Sequence, residues 1–268
     1  MSRRPSTIPR LLIVPAGLAV ALFALPILAL IARAPWGELR SILSDDDTGR
    51  AVGLSLVTSL ITTGIALAIG VPLALVLART RLPGRRIILA VCTLSMVLPP
   101  VVAGVALLSV LGRRAPLGRL LDDWFGVTVP FTGAAVVIAQ LFVAMPFLVI
   151  TLESALGSVD RGPEEMARAL GARPWRVLTT VTVPSVRSAL LAGTVLTWAR
   201  AIGEFGATIT FAGNLPGVTR TLPTETYLAL QNSPDRALML AVIQVGVCLA
   251  VLIALRRRWV PAITGGRP

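Results

Sequence analysis

The chain has 268 residues, of which 55% are hydrophobic and 14% charged, with a mean hydropathy of +0.82. Soluble domains carry roughly a quarter charged residues, and here the charge sits in short islands between apolar runs of about twenty residues, the length that crosses a bilayer core. Disorder, collagen-like repeats and a secreted disulfide scaffold are excluded, and an all-α, polytopic membrane protein of about six transmembrane helices in one domain is expected.

The net charge of +12 comes from arginine alone: there are 25 basic residues and no lysine. They lie in loops beside apolar spans, where orientation and the anionic cytoplasmic leaflet account for them, so no nucleic-acid partner is expected. Histidine is absent, which excludes His-based zinc sites, haem ligation by His and Ser–His–Asp catalysis. Without lysine there is no Walker A loop. The two cysteines, Cys92 and Cys248, fall within apolar runs and read as buried small hydrophobes. Neither a cofactor nor a metal site is expected.

In chain order, the apolar runs are about 11–32, 51–78, 87–111, 129–152, 186–212 and 237–255. Each must be helical, because lipid offers no partner for a free N–H or C=O. The first run follows Arg3, Arg4 and Arg10, as a signal peptide would. Its apolar length exceeds an h-region, so it is expected to be retained as a span. The third carries Pro99-Pro100 at its centre, which removes two backbone donors and predicts a break shielded by protein. With both termini cytoplasmic, 16 arginines fall in inner segments and 8 in outer ones, the bias that fixes orientation.

The longest inner segment, 160–184, is not a flexible linker. Pro163 suits a first helical position, Glu164 and Glu165 complement the positive end of the helix dipole, and Gly171 suits a C′ stop before Pro174. Met166, Ala169 and Leu170 share a face. The residues alone leave two roles open: a helix lying in the headgroup region, or a knob fitted into a groove on a cytoplasmic partner. The stretch Glu165-Met166-Ala167-x₃-Gly171-x₉-Val181-x-Val183-Pro184 resembles the EAA loop of ABC-transporter permeases, with Met166, Val181 and Val183 in place of Ala, Ile and Leu. The resemblance implies a type I ABC importer permease in which 160–184 is the coupling loop. Glu165, Met166, Ala167, Gly171 and Pro184 would then meet the ATP-binding subunit.

In the fifth run Thr194, Thr197, Arg200, Glu204 and Thr208 step by helical intervals, which puts them on one face of a continuous helix. Ionisable groups at membrane depth face a bundle interior or a water-filled path. An Arg200–Glu204 pair holding two helices together is the structural alternative, although the cation-first order is the weaker one. Gly203 and Gly206 mark either close packing or a hinge. The segment 199–211, with the loop Gly217 to Pro223 and on to Tyr227 and Gln231, is similar to molybdate permeases and less so to sulfate/thiosulfate permeases. That similarity implies a homodimer with the path between its halves, two cytoplasmic ATP-binding subunits and an extracytoplasmic molybdate-binding protein, with the chemistry of ATP left to the partner. Arg220 would attract the anion at the outer mouth or touch the binding protein.

Overall fold

Residues 10–263 are described in the computed structural model, with side chains described for 11–254. Arg3, Arg4, Arg10, Arg256, Arg257, Arg258 and Arg267, which entered the orientation count, lie outside the described side chains. The described residues form helices and loops with no strand.

The elements that position the site are α1 (Ile13–Arg33), α2 (Asp46–Arg79), α3 (Arg85–Val97), α4 (Pro100–Leu111), α5 (Pro116–Phe125) and α6 (Gly133–Ser158). They are followed by α7 (Gly162–Ala169), α8 (Arg187–Ile202), α9 (Gly206–Phe211), α10 (Leu222–Asn232) and α11 (Pro234–Ile263). Among the described residues four helices, α1, α2, α6 and α11, are long and apolar enough to cross a bilayer alone; taking the α4–α5 pair, bent by 48°, as one span makes five. The difference from six apolar runs has a physical cause. The third run is divided into α3 and α4 at Leu98-Pro99, and the fifth into α8 and α9 at Gly203–Phe205, so each falls into pieces too short to be counted whole.

The break in the third run follows its proline pair. Leu98 and Pro99 are extended, with ψ of 133° and 132°, and Pro100 opens the next helix, where its missing N–H costs nothing. The break in the fifth run falls at Gly203 and Gly206, where the sequence leaves close packing and a hinge both open, although two glycines alone do not force one.

α2, α6 and α8 pack along their lengths and form the centre of the bundle. Small residues permit the close approach. A side chain at Gly70 on α2 would meet Met145 and Leu148 of α6 at 3.3 and 3.4 Å, and one at Gly193 on α8 would meet Leu148 at 3.0 Å. Ala74, Leu77, Val149, Leu152, Leu156 and Val186 form a core at the end that carries the 160–184 loop. Ala103, Ala139, Val143, Ala207 and Phe211 form another where α4, α6 and α9 meet. Leu222, Ala229, Met239 and Leu240 join α10 to α11 at the opposite end. Within the α2–α6 interface, Gln140 satisfies its amide by donating to Thr58 Oγ1 at 3.2 Å and accepting from Thr62 Oγ1 at 2.9 Å. In contrast, α1 has no buried residue.

Candidate functional site: a broken-helix seam and a surface loop

The two helix breaks meet. α4 and α9 pack together, and the start of α4 lies against the start of α9. A Cβ on Gly206 would lie 2.5 Å from Pro100 Cβ, and one on Gly104 would lie 2.6 Å from Thr210 Cβ and 3.0 Å from the Ala207 carbonyl. Only residues without a side chain allow this seam. Beside it opens a cavity of about 270 Å³, lined by Pro100, Val101, Arg200, Gly203, Glu204, Phe205 and Gly206.

Glu204 organises the gap between α8 and α9. Its residue is 1% exposed. Its Oε1 accepts the Ala207 N–H at 2.8 Å, satisfying a free donor in the first turn of α9. Its Oε2 pairs with Arg200 Nη1 at 2.5 Å in an ion pair whose cation is 30% exposed toward the cavity. Phe205 is fixed by its ring against Tyr227, centroids 4.8 Å apart. Because Glu204 lies in the break and not in a helical turn, the orientation rule for helical i,i+4 pairs does not govern this pair.

The single face expected for Thr194, Thr197, Arg200, Glu204 and Thr208 is therefore interrupted. The break at Gly203–Phe205 ends the register that would have carried Thr208 on from Arg200. Thr197 and Thr208 are buried, and their hydroxyls have no hydrogen-bond partner among the described residues. Thr194 donates to its own helix at the Leu190 carbonyl, 2.7 Å away. Of the set, Arg200 and Glu204 reach the cavity.

Within the 160–184 loop, α7 ends as its sequence predicts. Gly171 has φ +83°, its N–H donates to the Arg168 carbonyl at 2.9 Å, and the Ala172 N–H donates to Ala167 at 3.0 Å. These paired bonds are a Schellman motif, which requires the left-handed residue that glycine supplies without strain. Glu165 is exposed, Met166 is 68% and Leu170 83% exposed, and Trp175 beyond the stop is 74% exposed. Ala167 is half-buried, and Pro184 is exposed in a short turn leading to α8. The chain between, Leu178–Thr182, is wound as a π-helix.

Arg220 is not a free cation. It donates to Asn214 Oδ1 at 2.9 Å and pairs with Glu225 at 3.4 Å. Glu225 also pairs with Arg236 at 3.3 Å, and Arg236 reaches Asp45 and Thr48. This ion-paired group joins the 214–220 loop, α10, α11 and the start of α2. The Arg236 guanidinium beside Asp45 holds its carboxyl below the usual carboxylate range.

Residues 70–264 match the family of binding-protein-dependent transport system inner membrane components. The chain belongs to that family. It is 41% identical to the molybdenum transport system permease protein ModB of Mycobacterium bovis, over 95% of this chain and 96% of the relative. It is 39% identical to the ModB protein of Escherichia coli, over 84% of this chain and 98% of that one. Its fold is similar to a chain of a bacterial ABC transporter involved in the import of the acidic polysaccharide alginate, with a TM-score of 0.76 at 16% identity, covering 92% and 93% of the two chains.

Two features of this inner membrane component were not singled out in the sequence. Glu164, not Glu165, is the buried acid of the loop: it pairs with Arg79 at 2.7 Å and accepts Thr182 Oγ1 at 2.9 Å. The Asp45–Arg236–Glu225 connection was also missed. Both depend on partners far away in sequence, which periodicity does not show.

Proposed function

We infer that this permease component carries molybdate, with tungstate tolerated, across the cytoplasmic membrane as part of an ATP-driven importer. The observation that carries the inference is the near full-length similarity to molybdenum transport permeases. In this account the chain hydrolyses nothing itself. It works as a homodimer with two cytoplasmic ATP-binding subunits and an extracytoplasmic molybdate-binding protein, and both termini and the 160–184 loop face the cytoplasm.

The exposed apolar face of Met166 and Leu170, beside acidic Glu165 and ahead of Trp175, is the docking surface for the ATP-binding subunit. Its rigidity comes from the Gly171 stop, to which Ala167 lends its carbonyl, and Pro184 lies exposed where the loop rejoins the bundle, so both belong to the same surface. The α4–α9 seam is the path. An oxyanion crossing a bilayer needs a cation, but a bare one would trap it; Arg200 compensated by Glu204 meets both requirements. Thr197 and Thr208 bring hydroxyls to the anion when the seam opens, which accounts for buried donors left without partners among the described residues. Arg220, held by Asn214 and Glu225, shapes the outer surface on which the binding protein docks, and does not attract the anion as a free charge.

Reconstitution with the ATP-binding subunit and the binding protein in proteoliposomes tests the assignment. The expected result is ATP-dependent uptake of molybdate that tungstate inhibits and sulfate in large excess does not. Equal inhibition by sulfate would move the assignment to a sulfate/thiosulfate permease.

A further inference from the structure

We infer that Glu164 and Arg79 are the positioning pair that carries motion of the coupling helix into α2, an inference that rests on the coupling role proposed for α7. The loop is joined by chain only to α6 and α8. Its tightest side-chain tie is instead to α2. Glu164 Oε1 receives Arg79 Nη2 from the last turn of α2 and Thr182 Oγ1 from the π-helical turn, at 2.7 and 2.9 Å. One carboxylate oxygen thus fastens both arms of the loop to one point on α2. A second bond runs in parallel, from Arg161 to the Ala78 carbonyl at 3.1 Å.

Stability is a poor reason for such a pair. Arg79 Nε and Nη1 are buried with no hydrogen-bond partner among the described residues, and a partly satisfied buried ion pair often stabilises less than apolar packing would. What an ion pair supplies and apolar contacts do not is a fixed direction. The pair also sits beside a cavity of about 240 Å³ lined by Thr80, Arg168, Val177 and Leu178 among others, so α7 has room to shift while the tie holds.

α2 suits the role of lever. It runs unbroken for 34 residues, whereas the third and fifth runs are interrupted. About 36 Å of helix separates Arg79 from Ser55, whose hydroxyl accepts the Leu222 N–H at 2.7 Å. Thr48, about two turns further on, joins the Arg236 group. Displacement of α7 would therefore be felt at the outer loop that precedes α10, with the broken helices of the seam moved between the two ends.

The test uses the complete transporter in proteoliposomes, with three measurements on each variant: retention of the ATP-binding subunit on purification, ATP hydrolysis, and molybdate carried per ATP hydrolysed. Glu164→Ala should retain the subunit and hydrolyse ATP, while molybdate carried per ATP falls about tenfold, the low end of what one charge-assisted hydrogen bond supplies. Glu164→Gln should lose less, since an amide still accepts from Arg79. The exchange Glu164→Arg with Arg79→Glu should recover most of the ratio lost in either single variant. An unchanged ratio in Glu164→Ala, or no recovery in the exchange when it purifies with its partner, would overturn the inference. Loss of the ATP-binding subunit from Glu164→Ala would do so too, since Glu164 would then belong to the docking surface. Failure of the coupling role itself reads differently: wild-type protein would not contact the ATP-binding subunit through α7 at all.

Discussion

Pro100 occupies the space that a side chain on Gly206 would need. A methyl group there would lie 2.5 Å from Pro100 Cβ and 3.2 Å from both the Pro100 carbonyl carbon and the Val101 nitrogen. The contact joins the two interrupted runs at their breaks, so the proline pair of one and the glycine of the other act as a single feature. A break in a membrane helix leaves backbone groups unpaired, and it persists only where protein supplies partners; here Glu204 supplies one to α9.

Gly206→Ala should cost about 1–3 kcal/mol through overpacking against rigid backbone and should abolish molybdate uptake. Gly64→Ala on α2, where no described residue lies within 4 Å of the added methyl, should change neither. Thermal unfolding in detergent and uptake in proteoliposomes compare the two.

Glu204→Gln keeps an acceptor for the Ala207 N–H but leaves Arg200 uncompensated. The expected outcome is tighter molybdate retention with turnover slowed about tenfold or more, since a hydrogen bond to a charged group contributes about 1.5–3 kcal/mol. Single-turnover release of labelled molybdate measures this. Faster release would contradict the assigned role of the pair.

Gly171→Val tests the stop of α7 on backbone grounds alone, since a Cβ there would meet no described residue within 4 Å while its φ is +83°. The strain of about 1–2 kcal/mol for an L-residue should loosen the knob and lower transport while membrane insertion is unaffected. Glu165→Lys, at an exposed position, should uncouple transport with no loss of thermal stability.

The Asp45–Arg236 pair gives a pH dependence of definite sign. Its largest cause is the Arg236 hydrogen bond, which lowers the Asp45 pKa from its ordinary 3.8. A carboxylate with a lowered folded-state pKa contributes stability that is fully present above the ordinary value and lost as pH falls through the lowered one. Thermal stability should therefore drop below about pH 4, and Asp45→Asn should be less stable at neutral pH with a shallower acid decline.

Much of this was legible in the sequence. Pro99-Pro100 announced the break in the third run, and Pro163, the paired glutamates and Gly171 outlined α7 to within a residue of where it lies. Such signals are local, carried by residues with unusual backbone preferences. The break at Gly203–Phe205 was not legible, because two glycines in an apolar run are equally compatible with a continuous, closely packed helix; the residue packed against Gly206 at the break is Pro100, about a hundred residues earlier. The shared face drawn through Thr208 failed for that reason. Glu164 hid behind its neighbour because the helix pattern gives both glutamates the same dipole role, and only the fold brings Arg79 to one of them. Arg220 reads in the sequence as an outer-mouth or binding-protein contact, and its ties to Asn214 and Glu225, a few residues away, show only once the loop is folded.

The most direct measurement of the central claim is crosslinking from α7. In a Cys92→Ala, Cys248→Ala background, single cysteines replacing Met166 and Leu170 would be treated with a short bifunctional reagent in membranes that also hold the ATP-binding subunit. Both positions should trap that subunit, with a yield that changes when ATP is added. Cysteines that react with a lipid-soluble probe and trap no protein would place α7 in the membrane surface, and the account of how this permease is driven would be wrong.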